Sequence, residues 1–308
     1  MKHFIYKLFI SIYNFLPGRH FLVIIFKKIG LSKHKIYKDL KFKGEFRVEE
    51  MIQDTQIKFK MISYGGFIEN ETYWQGLFKS FEPESGELWI DFVKVSTNIL
   101  DIGANTGIYS IAAKCVNPSI NLYAFEPSKN TYSKFIENRK INQLDFQIFE
   151  LALSDVNGKQ IFYDMPSEVQ TSASLSPDKS KNWDLFVGDL WEYEVETQTL
   201  DTFIHNQNIK EIDLIKVDVE MHEPAVIRGY LQNLYIHLPV FFIEILTEKI
   251  ALEIDVFMRK DYNYFQLFEN RTMKEVENFE IIMGTWNYLL IPKIKMEIYR
   301  TLISKYLV

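Results

Sequence analysis

The sequence has few of the features that mark secreted, membrane-spanning or nucleic-acid-binding proteins. Among its 308 residues there is one cysteine, Cys115, so no disulfide can form within the chain. Acidic residues outnumber basic ones by 41 to 35, which gives a formal net charge of −6 and argues against a nucleic-acid backbone as the main partner. No internal repeat and no low-complexity segment is present, which excludes solenoids and fibrous chains.

Long hydrophobic runs are also absent, although residues 1–30 are both apolar and basic. The apolar run over residues 4–16 is interrupted by Lys7, and the run over 21–26 is far shorter than the ~20 residues of a membrane-spanning helix. No small-residue cleavage site follows, so we expect no secretory signal and a cytoplasmic protein. Two interpretations of residues 1–30 stay open: short helices that pack on the rest of the protein, or a peripheral anchor at a membrane surface.

The composition is that of a folded protein, and the pattern is that of an α/β sheet. Apolar residues make up 47% of the chain and charged residues 25%. From Asn98 onward, short apolar runs alternate with helical patterns, which predicts a mostly parallel, doubly wound sheet. The predicted strands are NILDIG, NLYAFEP, FQIFELALSD, DLIKVDVE and PVFFIEIL, with YNYFQLF and WNYLLIP as an antiparallel pair at one edge.

The predicted helices of this region cover residues 108–115, 128–142, 200–206, 224–234 and 250–260. Upstream, EFRVEEM and QIKFKMISY alternate like strands on either side of a turn. We therefore predict an N-terminal helical and mixed segment, residues 1–94, that helps to close a cleft, and an α/β domain, residues 95–308. Ligands of such a sheet bind at the carboxyl ends of its strands.

The segment DIGANTG, residues 101–107, follows a buried strand and opens a helix. Its pattern is D-x-G-x-x-x-G and not the G-x-G-x-x-G of dinucleotide enzymes. Glycine at position 103 permits a tight turn with no Cβ in the way of a ligand, and Gly107 lets the helix start lie close to the strand. A helix N-terminus favours a carboxylate, and Asp101 can accept from an ammonium group. A purely structural turn and a dinucleotide-binding domain are the alternatives.

Glu126 stands 25 positions after Asp101, at the end of the next predicted strand. A carboxylate there offers two oxygens to the two hydroxyls of a ribose. The third strand ends in ALSD, so Ala152 is expected at the adenine edge of the ligand. Together these positions favour an adenosyl ligand.

In order and spacing, ILDIGANTGIYS, YAFEPS, ALSD, QTLDTF, DLIKVDVE and VFFIE resemble the FkbM family of methyltransferases over residues 98–246. The resemblance implies a class I methyltransferase, Rossmann-like fold, S-adenosyl-L-methionine as cofactor, and O-methylation of a hydroxyl on a sugar or glycoconjugate. The positions that match the cofactor pattern of the family are Asp101, Gly103, Asn105, Gly107 and Glu126. One departure is DVEMHE, where Met221 replaces a glycine and His222 occupies a position that is usually small.

Methyl transfer to a hydroxyl needs an aligned acceptor and a group that takes its proton. Along the predicted strand, Lys216, Asp218 and Glu220 share one face, with His222 just after. Three interpretations stay open. In the first, Asp218 or Glu220 orients the acceptor and takes its proton, with His222 as an alternative base. In the second, which we do not favour, Asp218 and Glu220 bind a divalent ion together with His222 or Glu223. In the third, the acids form structural salt bridges with Lys216 and Arg228 and cap the following helix.

Candidate acceptor contacts lie in three places. Glu223 and Glu244 follow predicted strands at the edge of the cleft. Upstream, Tyr73 and Trp74 are candidates for stacking on a sugar, and Glu69 or Glu82 for bonding its hydroxyls; a face that packs on the sheet is the alternative. The polar stretch 165–195 is a candidate lid.

Overall fold

The computed structural model describes residues 10, 13, 19–30, 39–164, 173–176 and 191–308. Most of the predicted lid over residues 165–195 lies outside this part of the chain, as does most of the segment before Arg19. Within the described residues, no helix combines the length and the apolar character needed to span a bilayer.

The α-helices of the described residues lie between residues 19 and 303 of the chain. They are α1 (Arg19–Lys28), α2 (Phe67–Gln75), α3 (Pro83–Val95), α4 (Ile108–Val116), α5 (Lys129–Ile141), α6 (Leu200–Gln207), α7 (Glu223–Arg228), α8 (Leu231–His237), α9 (Glu248–Met258) and α10 (Met296–Ile303), with short 3₁₀ turns at Lys293–Lys295 and Ser304–Tyr306.

The strands fall into a hairpin, the central sheet and a small third sheet. The hairpin joins β1 (Gly44–Ile52) to β2 (Thr55–Ser63). The other strands are β3 (Asn98–Ile102), β4 (Asn121–Phe125), β5 (Gln147–Phe149), β6 (Ala152–Leu153), β7 (Gly158–Asp164), β8 (Trp191–Gln198), β9 (Leu214–Val217), β10 (Val240–Glu244), β11 (Tyr262–Phe268), β12 (Thr272–Val276) and β13 (Asn287–Pro292).

The central sheet has the order β12-β11-β13-β10-β9-β3-β4-β5 among the described residues. Its β10-β9-β3-β4-β5 part is parallel, and β13, β11 and β12 are joined to it by antiparallel pairing. The α/β class predicted from the sequence is confirmed, and so is the antiparallel pairing of YNYFQLF with WNYLLIP. The antiparallel edge has a third strand, because β12 pairs outside β11, and β13 lies between β11 and β10.

Three predicted elements are shorter than the sequence pattern indicated. The run FQIFELALSD divides into β5 and β6, which belong to different sheets. The helix predicted over 224–234 divides into α7 and α8. Strand β9 ends at Val217, because Glu220 and Met221 adopt positive φ angles of 55° and 78° that no strand contains. Glu220 therefore does not continue the strand face of Lys216, which corrects the prediction of a three-residue row.

The N-terminal segment and the sheet share one hydrophobic core. Trp89 and Phe92 of α3 pack edge-on against Phe242 of β10 at 5.5 and 5.7 Å between ring centroids. The exposed edge of β2 is bonded by two asparagines of α5: Asn138 accepts from the Ile62 amide, and Asn142 accepts from the Lys60 amide. The segment upstream of β3 is thus attached directly to the sheet, and α3 is placed so that its first turn reaches the carboxyl ends of the strands.

Candidate active site

A cavity of about 490 Å³ lies at the carboxyl ends of the parallel strands. Residues 101–105, 125–127 and 151–153 line one side, which we call the cofactor half. Glu82, Glu84, Lys216, Asp218, Glu220, Glu244, Trp286 and Asn287 line the other side, which we call the acceptor half. The volume suits a ligand of cofactor size.

The two glycines of DIGANTG are required by neighbouring protein atoms. Gly103 has a φ of 82°, and a Cβ there would lie 1.8 Å from the backbone oxygen of Asp218. Gly107 has a φ of 90°, and a Cβ there would lie 1.9 Å from the ring of Phe135 in α5. The expectation that Gly103 clears space for a ligand is therefore corrected: it permits the contact between the ends of β3 and β9. Gly107 permits the close approach of α5, whereas the sequence had suggested only that it lets the start of α4 lie close to β3.

Asp101 is buried at the end of β3 and lines the cavity. The Ser110 hydroxyl of α4 donates to its Oδ2 at 2.6 Å, which fixes the carboxylate. Burial raises the pKa of Asp101, and the nearby Lys216 partly offsets this effect. An ammonium group that enters the cavity would find an oriented carboxyl group here, and the role of Asp101 in binding such a group stays a prediction.

Glu126 directly follows β4 and lines the cavity, and the register of the parallel pair β3-β4 places Asp101 opposite Ala124, two residues before it. It accepts from the backbone amide of Asn105 at 3.0 Å and from that of Ser128 at 2.8 Å. Burial raises the pKa of Glu126 to about 8. This carboxylate is held at the cavity wall by backbone groups, which suits an acceptor for two ribose hydroxyls. The carboxyl oxygens of the cofactor half are therefore acceptors that fit the ammonium and the ribose hydroxyls of S-adenosylmethionine.

The far end of the cofactor half is apolar. Ala152 and Leu153 of β6 line it, together with Phe125 and with Phe162 of β7. Such a slot suits the faces of an adenine ring. His222 lies against this end, with its Nε2 3.0 Å from the Ser154 hydroxyl. Burial lowers the pKa of His222 to about 4, so its imidazole is neutral at pH 7.

In the acceptor half, one ammonium group lies among several carboxylates. Lys216 Nζ is 2.7 Å from Asp218 Oδ2 and 3.7 Å from Glu82 Oε2. It also lies 4.6 Å above the ring of Tyr109. Burial alone would lower the pKa of Lys216, but Asp218 and then Glu82 raise it above its usual value. The interpretation of Lys216 and Asp218 as an ion pair is confirmed, whereas Arg228 pairs with Asp155 and Glu253 instead.

Glu220 and Glu223 have different roles in the turn after β9. Glu220 lines the cavity, and its backbone oxygen accepts from the Ser174 hydroxyl. Glu223 is fully buried and does not line the cavity; its Oε1 accepts from the amides of Val219 and Met221 at 3.2 Å. The prediction that Glu223 contacts the acceptor is therefore corrected: this carboxylate holds the turn that carries Glu220.

Glu244 ends β10 and lines the acceptor half, as predicted. Among the described residues, no hydrogen bond or ion pair reaches its carboxylate. Burial, and then the negative charge of Asp218, raise the pKa of Glu244 well above its usual value. Its neighbour across the β10-β13 pair, Asn287, donates to Glu84 Oε1 at 2.6 Å.

Tyr73 and Trp74 do not reach the cavity, which corrects their assignment to sugar stacking. Tyr73 stacks on Phe42 with 4.1 Å between ring centroids. The indole N–H of Trp74 donates to the backbone oxygen of Leu40. Both are core residues of the N-terminal segment, so the alternative of a packed face is the correct one. Glu69 is also buried and lies outside the cavity lining.

Sequence reasoning missed Glu84, Trp286 and Tyr109, and it placed Glu82 only as one of two upstream acids. Glu82 and Glu84 flank Pro83, the first residue of α3, which is a recognisable helix start. No pattern in the sequence, however, indicates that this helix begins above the ends of β3 and β9. Among the described residues, no group of three or more His, Cys, Asp or Glu side chains has the arrangement of a metal site.

Comparison with known proteins identifies several that are similar to this chain. The 2-O-methyltransferase NoeI of Sinorhizobium fredii is 33% identical over 148 residues, which cover 44% of this chain and 58% of NoeI. Methyltransferase 1 of Beauveria bassiana is 30% identical over 142 residues, with 42% and 57% covered. The crystal structure of Methyltransferase FkbM from Methylobacillus flagellatus aligns with a TM-score of 0.42 and 13% identity, over 63% of this chain and 43% of that one.

The chain spans less than two thirds of the length of the curated relatives that it matches. The family model described as the methyltransferase FkbM domain matches residues 101–265, from the first residue of DIGANTG to β11. This match includes both carboxylates of the cofactor half and covers more than half of the 308 residues. The chain belongs to the FkbM family of methyltransferases.

Proposed function

We propose that this protein is an S-adenosylmethionine-dependent O-methyltransferase that acts on a hydroxyl of a sugar or glycoconjugate. The observation that carries the proposal is the division of one cavity into two chemically different halves. The cofactor half presents Asp101 and Glu126 at the ends of adjacent strands, and an apolar slot lies beyond them. The acceptor half presents carboxylates and the amide of Asn287, which are the groups that bond hydroxyls.

The bound cofactor supplies a methyl group on a positively charged sulfur. The residues of the chain have the remaining tasks. Asp101 holds the ammonium of the methionyl part, and Glu126 receives the ribose hydroxyls. Asp218, fixed by Lys216, and Glu244, which has no other partner among the described residues, orient the acceptor. Alignment of the acceptor oxygen with the methyl carbon supplies a large part of the rate enhancement in such a reaction.

A saccharide is favoured over a nucleic acid by the charge of the acceptor half. Its lining contains Glu82, Glu84, Asp218, Glu220 and Glu244 against the single ammonium of Lys216 among the described lining residues. A phosphate group would find one ammonium in this lining, and that ammonium is already paired with Asp218, whereas neutral hydroxyls can bond to the carboxyl groups. The name of the relative NoeI, a 2-O-methyltransferase, agrees with transfer to oxygen.

Comparison of glycans from cells with and without this protein tests the proposal. We expect a glycan that is one methyl group lighter when the protein is absent, and purified protein should restore the methyl group from labelled S-adenosylmethionine. EDTA should leave this transfer unchanged, because Lys216 already occupies the place between Glu82 and Asp218 where a cation would bind. Identical glycans in both cells, together with labelled RNA or lipid as the product, would contradict the saccharide assignment.

A further inference from the structure

The carboxyl group of Glu82 lies where the two halves of the cavity meet. Its Oε2 is 3.7 Å from Lys216 Nζ, and the same ammonium contacts Asp218. Lys216 is the register neighbour of Asp101 across the parallel pair β3-β9. Glu82 therefore faces the point at which the methionyl end of the cofactor would approach the acceptor.

One oxygen of Glu82 is held and the other is not. The Tyr109 hydroxyl donates to Oε2 at 2.5 Å, and the Ser85 hydroxyl is 3.3 Å from the same atom. The Ser85 hydroxyl also lies 2.8 Å from the Tyr109 oxygen, so the two hydroxyls support each other. Among the described residues, no hydrogen bond or ion pair reaches Oε1, although Glu82 lines the cavity. This is the arrangement of an oriented base with one oxygen available.

The backbone at Glu82 supports a functional role. Its φ is 43° and its ψ is 55°, the left-handed region, directly before Pro83 and α3. A glutamate in this conformation is strained, and such strain is found where the surrounding structure must hold a side chain in one place. The carboxyl group of Glu82 lies beside Lys216 of β9 and lines the cavity.

We propose that Glu82 is the catalytic base that accepts the proton of the acceptor hydroxyl, an inference that rests on the proposed function. As the acceptor oxygen bonds to the methyl carbon, the carbon–sulfur bond breaks and its electron pair remains on sulfur. The hydroxyl proton passes to Oε1 of Glu82. A sulfonium cation and a carboxylate anion thereby become a neutral thioether and a neutral carboxylic acid, which a desolvated cavity favours. The proton then leaves to solvent through the cavity mouth.

The protonation equilibrium of Glu82 agrees with this role. Burial raises its pKa to about 7, against the opposing effect of Lys216. A base with such a pKa is ionised in part at neutral pH and binds a proton strongly enough to take it from a hydroxyl. The other candidates are less suitable: Asp218 is bonded to Lys216 at 2.7 Å, and the His222 ring is bonded to Ser154. Glu82 also lies upstream of residues 101–265, the part matched by the family model.

The pH dependence of methyl transfer tests the proposal, with glycan extract from cells that lack the protein as acceptor. Wild-type transfer should rise with pH through a limb near pH 7, because the ionised form of Glu82 is the active one. Glu82→Gln should lose about 100-fold or more of the rate while it still binds S-adenosylhomocysteine. Glu248→Gln removes an exposed carboxylate of α9 outside the cavity lining and should keep both the rate and the limb.

Two further variants should move the limb in opposite directions. Tyr109→Phe removes a donor that stabilises the ionised form of Glu82, so the limb should move to higher pH. Asp218→Asn removes a negative neighbour, so the limb should move to lower pH. A merely structural role for Glu82 predicts neither shift.

A measurement without turnover completes the test. In protein labelled with ¹³C at the glutamate carboxyl and loaded with S-adenosylhomocysteine, a resonance that titrates near pH 7 should be present in the wild type and missing in Glu82→Gln. The resonances of Glu126 and Glu223, whose pKa values burial raises to about 8, should remain in that variant. A Glu82 resonance that titrates in the ordinary range of glutamate, or a Glu82→Gln protein with wild-type rate and limb, would overturn the proposal. Failure of the wild type to bind S-adenosylhomocysteine would instead overturn the proposed function.

Discussion

At the scale of single residues, the chemistry of the site depends on side chains that neighbouring backbone holds in place. Glu126 is fixed by two amides, and Glu223 by the amides of the turn that it supports. Gly103 and Gly107 have a comparable role, because Asp218 and Phe135 occupy the space that a Cβ would need at these positions. The glycines of DIGANTG therefore permit the close packing of strand ends and helices.

Gly107→Ala tests this packing role, with Gly284→Ala as its matched control. Both glycines have a similar positive φ, 90° and 87°, so both variants lose about 1 kcal/mol from backbone strain. At 107 the new Cβ also meets the ring of Phe135 at 1.9 Å, whereas at 284 nothing lies within 4 Å. Urea unfolding should show an additional loss of about 1–3 kcal/mol for Gly107→Ala. Equal losses in the two variants would refute the packing argument.

At the scale of elements, α5 connects the N-terminal hairpin to the cofactor loop. The Asn138 side chain accepts from the Ile62 amide of β2 and donates to the Thr106 oxygen within DIGANTG. Asn142, one turn later, bonds both backbone groups of Lys60 and has no bond to the loop. The hairpin and the loop are thus coupled through one buried side chain.

Asn138→Ala should loosen both partners, and Asn142→Ala should loosen only the hairpin. Each variant leaves a backbone amide of β2 without its acceptor, a loss of about 1–3 kcal/mol where the group stays buried. Only Asn138→Ala should also weaken the binding of S-adenosylhomocysteine, which calorimetry measures. Hydrogen exchange at Ile62 and Lys60 reports the hairpin. Equal cofactor affinity in the two variants would contradict the coupling.

The sequence predicted those elements whose pattern is local. Strands β3, β4 and β10 are buried apolar runs, and α5 and α6 begin at Ser128 and Thr199, which cap them as expected. It did not predict the end of β9 at Val217, because the alternation of apolar and polar residues continues into the turn that Glu223 holds, where Glu220 and Met221 have positive φ angles. Nor could it place Glu82 beside Lys216, since the two are far apart in the chain and no periodicity connects them.

At the scale of the whole molecule, the site is assembled from three parts of the chain, since Trp286 and Asn287 join it from downstream of residue 265. The family-matched residues 101–265 provide the cofactor half, and α3 closes the acceptor half from upstream. The boundary predicted at residues 94 and 95 coincides with the end of α3, whose Trp89 and Phe92 belong to the shared core. Phe21 on α1 and Ile29 just after it are exposed, and contact of this segment with a membrane surface stays a prediction.

The most direct test of the account is a calorimetric titration of the purified protein with S-adenosylhomocysteine. We predict binding at one site in the wild type, and about 10–100-fold weaker binding in Glu126→Gln. The weakening is expected because an amide cannot accept from both the Asn105 and Ser128 amides and still receive a ribose. NAD, titrated in the same way, should not bind. A folded wild-type protein that binds NAD and not S-adenosylhomocysteine would contradict the account.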